Sequence, residues 1–333
     1  MLSAIDRDRY AVIPVGITRA GAFVLEEDDP AKFALDPQRL PEVVDNGTRI
    51  VWPEAAGERM LRVRRDDGTL HDLGRIDVVL PILHGSHGED GTIQGFLDTI
   101  EVPYAGGGII DSAICMDKHF MKIALQAAGV PVSPGITVRA AEAEPGIVTE
   151  RMGGASFPWF VKPARAGSSV GVSKVHGPED LADALRLAFA EDDKVLVERG
   201  VAGREIEVGV LEGRGGAPAR ASVPGEIVLT TREFYDFDGK YLGGDGVEVV
   251  CPAELSDAEV AAVREMALRA FAAVDGRGLA RVDFFLTADG PIVNEVNTMP
   301  GFTPFSMFPK CWIASGMSYP ELISELVDTA LER

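Results

Sequence analysis

"LARVDFFLTADGPIVNEVNTMPGFT", residues 279–303, decides how the chain is read. Two apolar-alternating segments flank Ala-Asp-Gly, a hairpin-type turn with glycine where a positive φ is expected. With Asp289 at the turn centre, positions 283 and 295 are equidistant from it and pair; 281 and 297 pair in the same way. Residues two apart on a strand share a face, so Arg281, Asp283, Glu295 and Asn297 come together. Two facing carboxylates with an amide oxygen repel each other unless a cation sits among them. Mg²⁺, which takes one or two carboxylates together with substrate phosphates, suits the set. The alternative is a solvent-facing polar surface with an Arg281–Asp283 pair. The Met-Pro-Gly that follows bends the backbone away from the strand.

Upstream, "FVKPARAGSSVGV" (160–172) sends Lys162 off an apolar strand into a loop of small residues, where backbone N–H groups and the Ser168 hydroxyl can close around a phosphate. It is not a Walker A loop, because the lysine precedes the glycines. A plain hairpin turn is the alternative. "MDKHF" places Lys118 near a helix start, an unfavourable position for a cation unless an anion is present. Taken alone it reads as a solvated lysine. "LHGSHGEDGTIQG" (83–95) crowds His84, His87, Glu89 and Asp90 after a buried strand. The spacing fits no zinc pattern, which leaves a substrate loop at a strand's carboxyl end or a Gly/Asp-rich turn. "VLVERGVAGREIEVGV" sets Glu198 and Glu205 at strand ends, where carboxylates can accept from an adenine amino group or a ribose hydroxyl.

The chain has 333 residues, a net charge of -20, and 46% apolar and 25% charged residues. That length allows two or three domains with real cores. The negative field argues against nucleic acid or an anionic membrane as partner, but a local group of lysines and metal can still hold an anionic nucleotide. No apolar run reaches the roughly 18 residues of a membrane span. "MLSAIDRDRY" lacks the apolar stretch of a signal peptide. Cys115, Cys251 and Cys311 are scattered with no C-x-x-C pair, as in the reduced thiols of a cytoplasmic protein.

Val/Ile-rich runs at 9–18 and 76–85 predict buried parallel strands with helical or loop segments between them. "DSAICMDKHFMKIALQAAGV" predicts one helix, ended by Gly129 before Val-Pro. The 160–172 stretch predicts two short strands around its loop, followed by an amphipathic helix. From "KVLVERG" onward, alternation predicts an antiparallel sheet with a long helix, "ELSDAEVAAVREMALRAFAAV", before its last strands. The fold class is α/β and α+β: an N-terminal parallel α/β domain over 1–107, a small central β-rich domain over 108–197, and a C-terminal antiparallel α+β domain over 198–333.

Six motifs occur in order: "LHGSHGEDGTIQG", "MDKHF", "FVKPARAGSSVGV", "EFYDFDGKYL", "GLARVDFF" and "NEVNTMPGFT". Together they resemble the D-alanine–D-alanine ligases of the ATP-grasp superfamily along the whole chain from about residue 5. The resemblance implies a three-domain ATP-grasp architecture with ATP held between the central and C-terminal domains. It implies that ATP phosphorylates one D-alanine and a second D-alanine attacks the acyl phosphate, giving a dipeptide for peptidoglycan. Asp283, Glu295 and Asn297 resemble the ligands of two Mg²⁺ (or Mn²⁺) ions. Lys118 and Lys162 resemble the lysines on the ATP phosphates, Lys240 the one reaching the transferred phosphoryl group, and Glu198 and Glu205 the adenine- and ribose-side carboxylates. Arg281 with the Gly301 N–H resembles the oxyanion site, Ser306 the group holding the second carboxylate, and His84 a substrate-side histidine. Tyr241, on a loop that closes over the site, is expected to link to Ser168, and its tyrosine resembles the D-alanine-specific members. A homodimer is implied by resemblance alone.

Family members open with a strand and a Gly-rich loop carrying a glutamate that anchors the first D-alanine. Here "MLSAIDRDRYAVIPVGIT" resembles the segment after them, so that glutamate has no counterpart. The stated start is then an internal Met of a longer protein, or the chain is a shortened homologue. The competing readings are a catalytically impaired ATP-binding homologue and a related D-lactate or D-serine ligase.

Overall fold

The structure, a computed structural model, describes residues 1–33, 42–167, 169–229 and 246–333. The chain forms two compact units, one of Met1–Pro81, Gln94–Ala105 and Ser318–Arg333, the other of Ile82–Ile93 and Gly106–Met317.

In the first unit β1 (Val15–Ile17) pairs antiparallel with β2 (Phe23–Leu25). Strands β3 (Thr48–Val51), β4 (Met60–Arg65) and β5 (Leu70–Arg75) form an antiparallel meander. Helix α1 (Thr92–Thr99) follows, with its Leu97 fully buried. Phe23, Trp52 and Phe96 pack with ring centroids 5.4 to 6.2 Å apart. The C-terminal helix, Tyr319–Leu331, buries Leu322, Ile323 and Leu326.

The parallel pairing predicted over 9–18 and 76–85 is shorter than expected. Val15–Ile17 is the strand part of the first run, and it sits in an antiparallel hairpin. The second run contributes a single parallel bridge, Val79 to Tyr104. Pro14, Pro81 and Pro103 offer no N–H, so a ladder cannot run through them. The intervening segment, read as helical or loop, carries β2 to β5. Its alternation was visible in "MLRVRR", where Leu61 and Val63 face inward.

In the second unit the helix predicted over 111–130 is two: α2 (Ile109–Met116) and α3 (Lys118–Ala127). Asp117 adopts an extended backbone between them and accepts from His119 N and Phe120 N, so it caps α3. A four-stranded sheet follows in the order β6-β9-β7-β8, from β6 (Gly135–Arg139), β7 (Trp159–Pro163), β8 (Ser173–Val175) and β9 (Lys194–Arg199). One face packs Val138, Trp159, Val161, Val195 and Val197 against α4 (Pro145–Arg151) and α5 (Leu181–Glu191). The other face carries Phe160, Lys162, Leu196 and Glu198, placed together by the β7–β9 register.

The larger sheet runs β13-β12-β10-β14-β15, with β11 (Arg220–Ala221) beside β10. Its strands are β10 (Arg204–Leu211), β12 (Gly225–Leu229), β13 (Val247–Val250), β14 (Leu279–Thr287) and β15 (Gly290–Asn297). Ile206, Val208, Val282, Phe284, Val293 and Val296 turn inward on α3 and α6 (Asp257–Ala273), which contributes Val263, Ala267 and Phe271. Each such side chain stabilises by about 1.5–3 kcal/mol. The Ser256/Glu259 capping box fixes where α6 starts. With one face sealed by apolar contact, the alternate residues of β10, β14 and β15 place their charged side chains together on the opposite face.

Candidate active site

That polar face holds the predicted cluster. Arg281 pairs with Asn297 and Asp283 with Glu295, as the hairpin reading required. The route differs. The turn has two residues, with Thr287 opposite Gly290, and an irregularity at Asn294 restores the register. A two-residue loop displaces the pairing by one position, and one extra strand residue displaces it back. Gly290 takes a φ of +114°, the left-handed region that glycine tolerates.

Arg281 donates from Nε and Nη2 to the two oxygens of Asp283, each at 2.7 Å. Asn297 donates to Asp283 at 2.9 Å. Arg281 Nε also lies 2.9 Å from Glu207 Oε2, a near-buried carboxylate opposite Asp283 on β10. Burial opposes the Arg281 charge, but Asp283 and Glu207 outweigh it and hold the guanidinium well above its ordinary pKa.

Across from this face, Lys118 Nζ lies 3.8 Å from Glu295 and donates to Ala166 O at 2.8 Å, at the base of the Gly/Ser loop. Lys162 pairs with Glu198 at 2.7 Å and reaches Asn294 Oδ1 at 3.5 Å. Lys122 holds the other Glu198 oxygen at 2.8 Å. Burial pushes Lys122 down to about 8, against the raising effect of Glu198. Burial also opposes the Glu198 charge, but the two lysines prevail and keep its pKa below the usual value. A cavity of about 280 Å³ opens there, lined by Lys122, Ser133, Thr137, Leu196 and Glu198. The buried Ser133 hydroxyl has no hydrogen-bond partner among the described residues, so a polar ligand atom could satisfy it.

His84 Nδ1 meets Met299 O at 3.1 Å, tying the 83–95 loop to the Met-Pro-Gly bend. Burial lowers the His84 pKa, and Arg281 adds to that. Glu89 accepts from Gly85 N; burial, with Glu295 adding repulsion, raises it to about 7. Past the bend, Gly301 leaves room for Ser306: a Cβ there would lie 3.0 Å from Ser306 Oγ. Ser306 begins α7 (Met307–Ala314), and its Oγ lies 2.8 Å from Thr303 Oγ1. Glu205 shares a strand face with Glu207. Ser168, Lys240 and Tyr241 lie outside the described residues.

Sequence reasoning missed two residues. Lys122 lies one helical turn beyond Lys118, so the two share a face. Glu207 lies two positions beyond Glu205 on the same strand. Both spacings were present to be read.

Residues 1–107 match the family description D-ala D-ala ligase N-terminus, and residues 124–328 match D-ala D-ala ligase C-terminus. The D-alanine–D-alanine ligase of Arthrobacter sp. is 48% identical over 338 residues, covering 100% of this chain and 88% of that protein. That of Kineococcus radiotolerans is 47% identical over 344 residues, covering 100% and 91%. Among solved structures, the D-alanine-D-alanine ligase from Coxiella burnetii superposes with a TM-score of 0.80 at 32% identity, covering 100% of this chain and 87% of that one. VanG D-Ala:D-Ser ligase from Enterococcus faecalis gives 0.80 at 28% identity, covering 98% and 92%. The chain belongs to the D-alanine–D-alanine ligase family.

Proposed function

We propose that this chain joins two D-alanines into D-alanyl-D-alanine at the expense of ATP, for peptidoglycan precursor synthesis. The observation that carries the reading is the single polar face on which Arg281, Asp283, Glu295 and Asn297 meet, with Lys118 and Lys162 opposite it. Full-length likeness to curated D-alanine–D-alanine ligases supports it.

A carboxylate oxygen of the first D-alanine attacks the γ-phosphorus of ATP, giving an acyl phosphate and ADP. The amine of the second then attacks the carbonyl carbon, and the tetrahedral intermediate expels phosphate. Lys118 and Lys162 hold the ATP phosphates, and Glu198 and Glu205 take the adenine and ribose sides. Arg281, anchored by Asp283 and Glu207, presents its guanidinium to the oxyanion together with the Gly301 N–H. Ser306 takes the second carboxylate, and His84, kept neutral by burial, fixes the bend that carries Gly301. Lys240, Tyr241 and Ser168 keep the roles that the resemblance implies.

Glu205, Glu207, Asp283 and Glu295 share this face with one arginine, so the face carries excess negative charge and suits a divalent cation. Among the described residues no three His, Cys, Asp or Glu side chains surround one point. Asp283, Glu295 and Asn297 are therefore a partial set, of the kind completed by substrate phosphates. Two Mg²⁺ or Mn²⁺ ions held there would neutralise phosphate charge. The reading extends to domains over 1–107, 108–197 and 198–333 and to a cytoplasmic homodimer; among the described residues no helix is long and apolar enough to cross a membrane.

The likeness to a D-Ala:D-Ser ligase makes the second substrate the point to test. With D-alanine fixed and D-alanine, D-serine or D-lactate competing as acceptor, mass spectrometry should find D-alanyl-D-alanine in excess. A D-serine or D-lactate product in excess would overturn the assignment.

A further inference from the structure

Cys251 directly follows β13 and Cys311 lies in α7, yet their sulfurs are 3.7 Å apart. Both are free thiols. Packing fixes the contact: Ile227, Met307 and Cys311 form a buried cluster with Val247, Val249 and Cys251 against it. Gly225 makes room for the sulfurs, since a Cβ there would lie 2.1 Å from Met307 Sδ and 3.2 Å from Cys311 Sγ. Cys311 Sγ also lies 3.9 Å from the backbone oxygen of Glu207, the residue whose carboxylate holds Arg281. Ser306 begins the helix that carries Cys311. The thiol pair thus touches the strand residue that anchors Arg281 and belongs in part to the helix that Ser306 begins.

We propose that Cys251 and Cys311 are an oxidative modification site, converted by a hydroperoxide such as hydrogen peroxide into a reversible disulfide that slows the ligase. Half-buried Cys251 reacts first, ahead of fully buried Cys311. Its thiolate attacks one peroxide oxygen, the O–O bond breaks, and Cys251 becomes a sulfenic acid as water leaves. The Cys311 sulfur then attacks the Cys251 sulfur, the S–O bond breaks, and hydroxide leaves with the Cys311 proton as water. Two thiols lose two electrons in total, and one peroxide becomes two waters. The adjacent Cys311 thiol, aided by Lys310, draws the Cys251 pKa below its ordinary value against the effect of burial. Cys115, deeply buried, has its pKa pushed well up and serves as the unreactive internal comparison.

Forming the bond draws the sulfurs together by roughly 1.7 Å. That shift draws α7 towards the end of β13, and with it Ser306 at the helix start and the contact of Cys311 with Glu207. Misplacement on this scale lowers turnover by about 10- to 100-fold.

The slowing rests on the ligase reading, but the cross-link does not, so the two are measured separately. Turnover of the reduced protein comes first and tests the activity alone. The protein is then treated with equimolar hydrogen peroxide and digested without reductant. The expected result is a peptide joined through Cys251 and Cys311, with turnover lowered about 10- to 100-fold and restored by dithiothreitol. Cys251→Ser and, as a second variant, Cys311→Ala should keep full turnover after the same treatment. Absence of the 251–311 cross-link, a cross-link to Cys115 instead, or a cross-link that leaves turnover unchanged would each overturn the proposal.

Discussion

Arg281 and Glu207 meet at 2.9 Å on neighbouring strands, with Asp283 on the same guanidinium. Asp283 is also a proposed metal ligand, whereas Glu207 anchors Arg281 from outside that ligand set. Glu207→Gln should lower kcat by about 10- to 100-fold through misplacement of Arg281. The affinity for ATP should not change, and Glu207→Asp should retain more activity. Steady-state kinetics with separate ATP titration checks this; an equal loss in ATP affinity would make Glu207 part of nucleotide binding instead.

Lys118 donates to Ala166 O and faces Glu295, poised over the phosphate side. A charge-assisted contact contributes about 1.5–3 kcal/mol. Lys118→Ala should therefore weaken ATP binding by about 10- to 100-fold. Calorimetric titration with ATP and Mg²⁺ reads this, and unchanged affinity would return Lys118 to the status of a solvated lysine.

Glu295→Gln should weaken the binding of Mn²⁺ in the presence of ADP while leaving the melting temperature of the free protein within a few degrees. Its carboxylate is partly exposed and lies 3.8 Å from Lys118, so an amide of the same shape should disturb the fold little. Electron paramagnetic resonance of free Mn²⁺ gives the affinity directly. Equal Mn²⁺ binding by both forms would remove Glu295 from the ligand set.

Glu89, raised by burial from 4.5 to about 7, links stability to pH. The folded state keeps the proton that the unfolded chain has released between these values. Its contribution is present below about 4.5 and is lost as pH rises through 7. The loss amounts to roughly 3 kcal/mol. Urea unfolding of metal-free protein at pH 5 and pH 8 should show the wild type losing more stability than Glu89→Gln. Parallel curves for the two would contradict the buried, proton-retaining carboxyl.

The hairpin over 279–297 was legible because both strands are apolar at alternate positions over most of their length and end on a turn with glycine. Its register was legible too, although the extra residue at Asn294 that produces it was not. The large sheet and α6 followed from periodicity in the same way; of the small sheet only β7 and β8 were read, β6 was missed, and the segment of β9 was taken as the start of the larger sheet, which it does not join. The break at Asp117 was missed because apolar spacing runs through it, while the capping role of Asp117 depends on its own backbone angles. The antiparallel strands between 23 and 75 were missed although "MLRVRR" alternates. His84 meeting Met299 spans 215 positions, and no local pattern encodes such a contact. The proximity of Cys251 and Cys311 likewise arises from the packing of α7 on the sheet.

The most direct test of the central claim is the ADP formed per dipeptide by the purified protein with ATP, Mg²⁺ and D-alanine. Ligation through an acyl phosphate predicts one ADP for each D-alanyl-D-alanine, with no ADP when D-alanine is replaced by L-alanine. ADP release that does not depend on D-alanine, or ATP binding without any dipeptide, would contradict it.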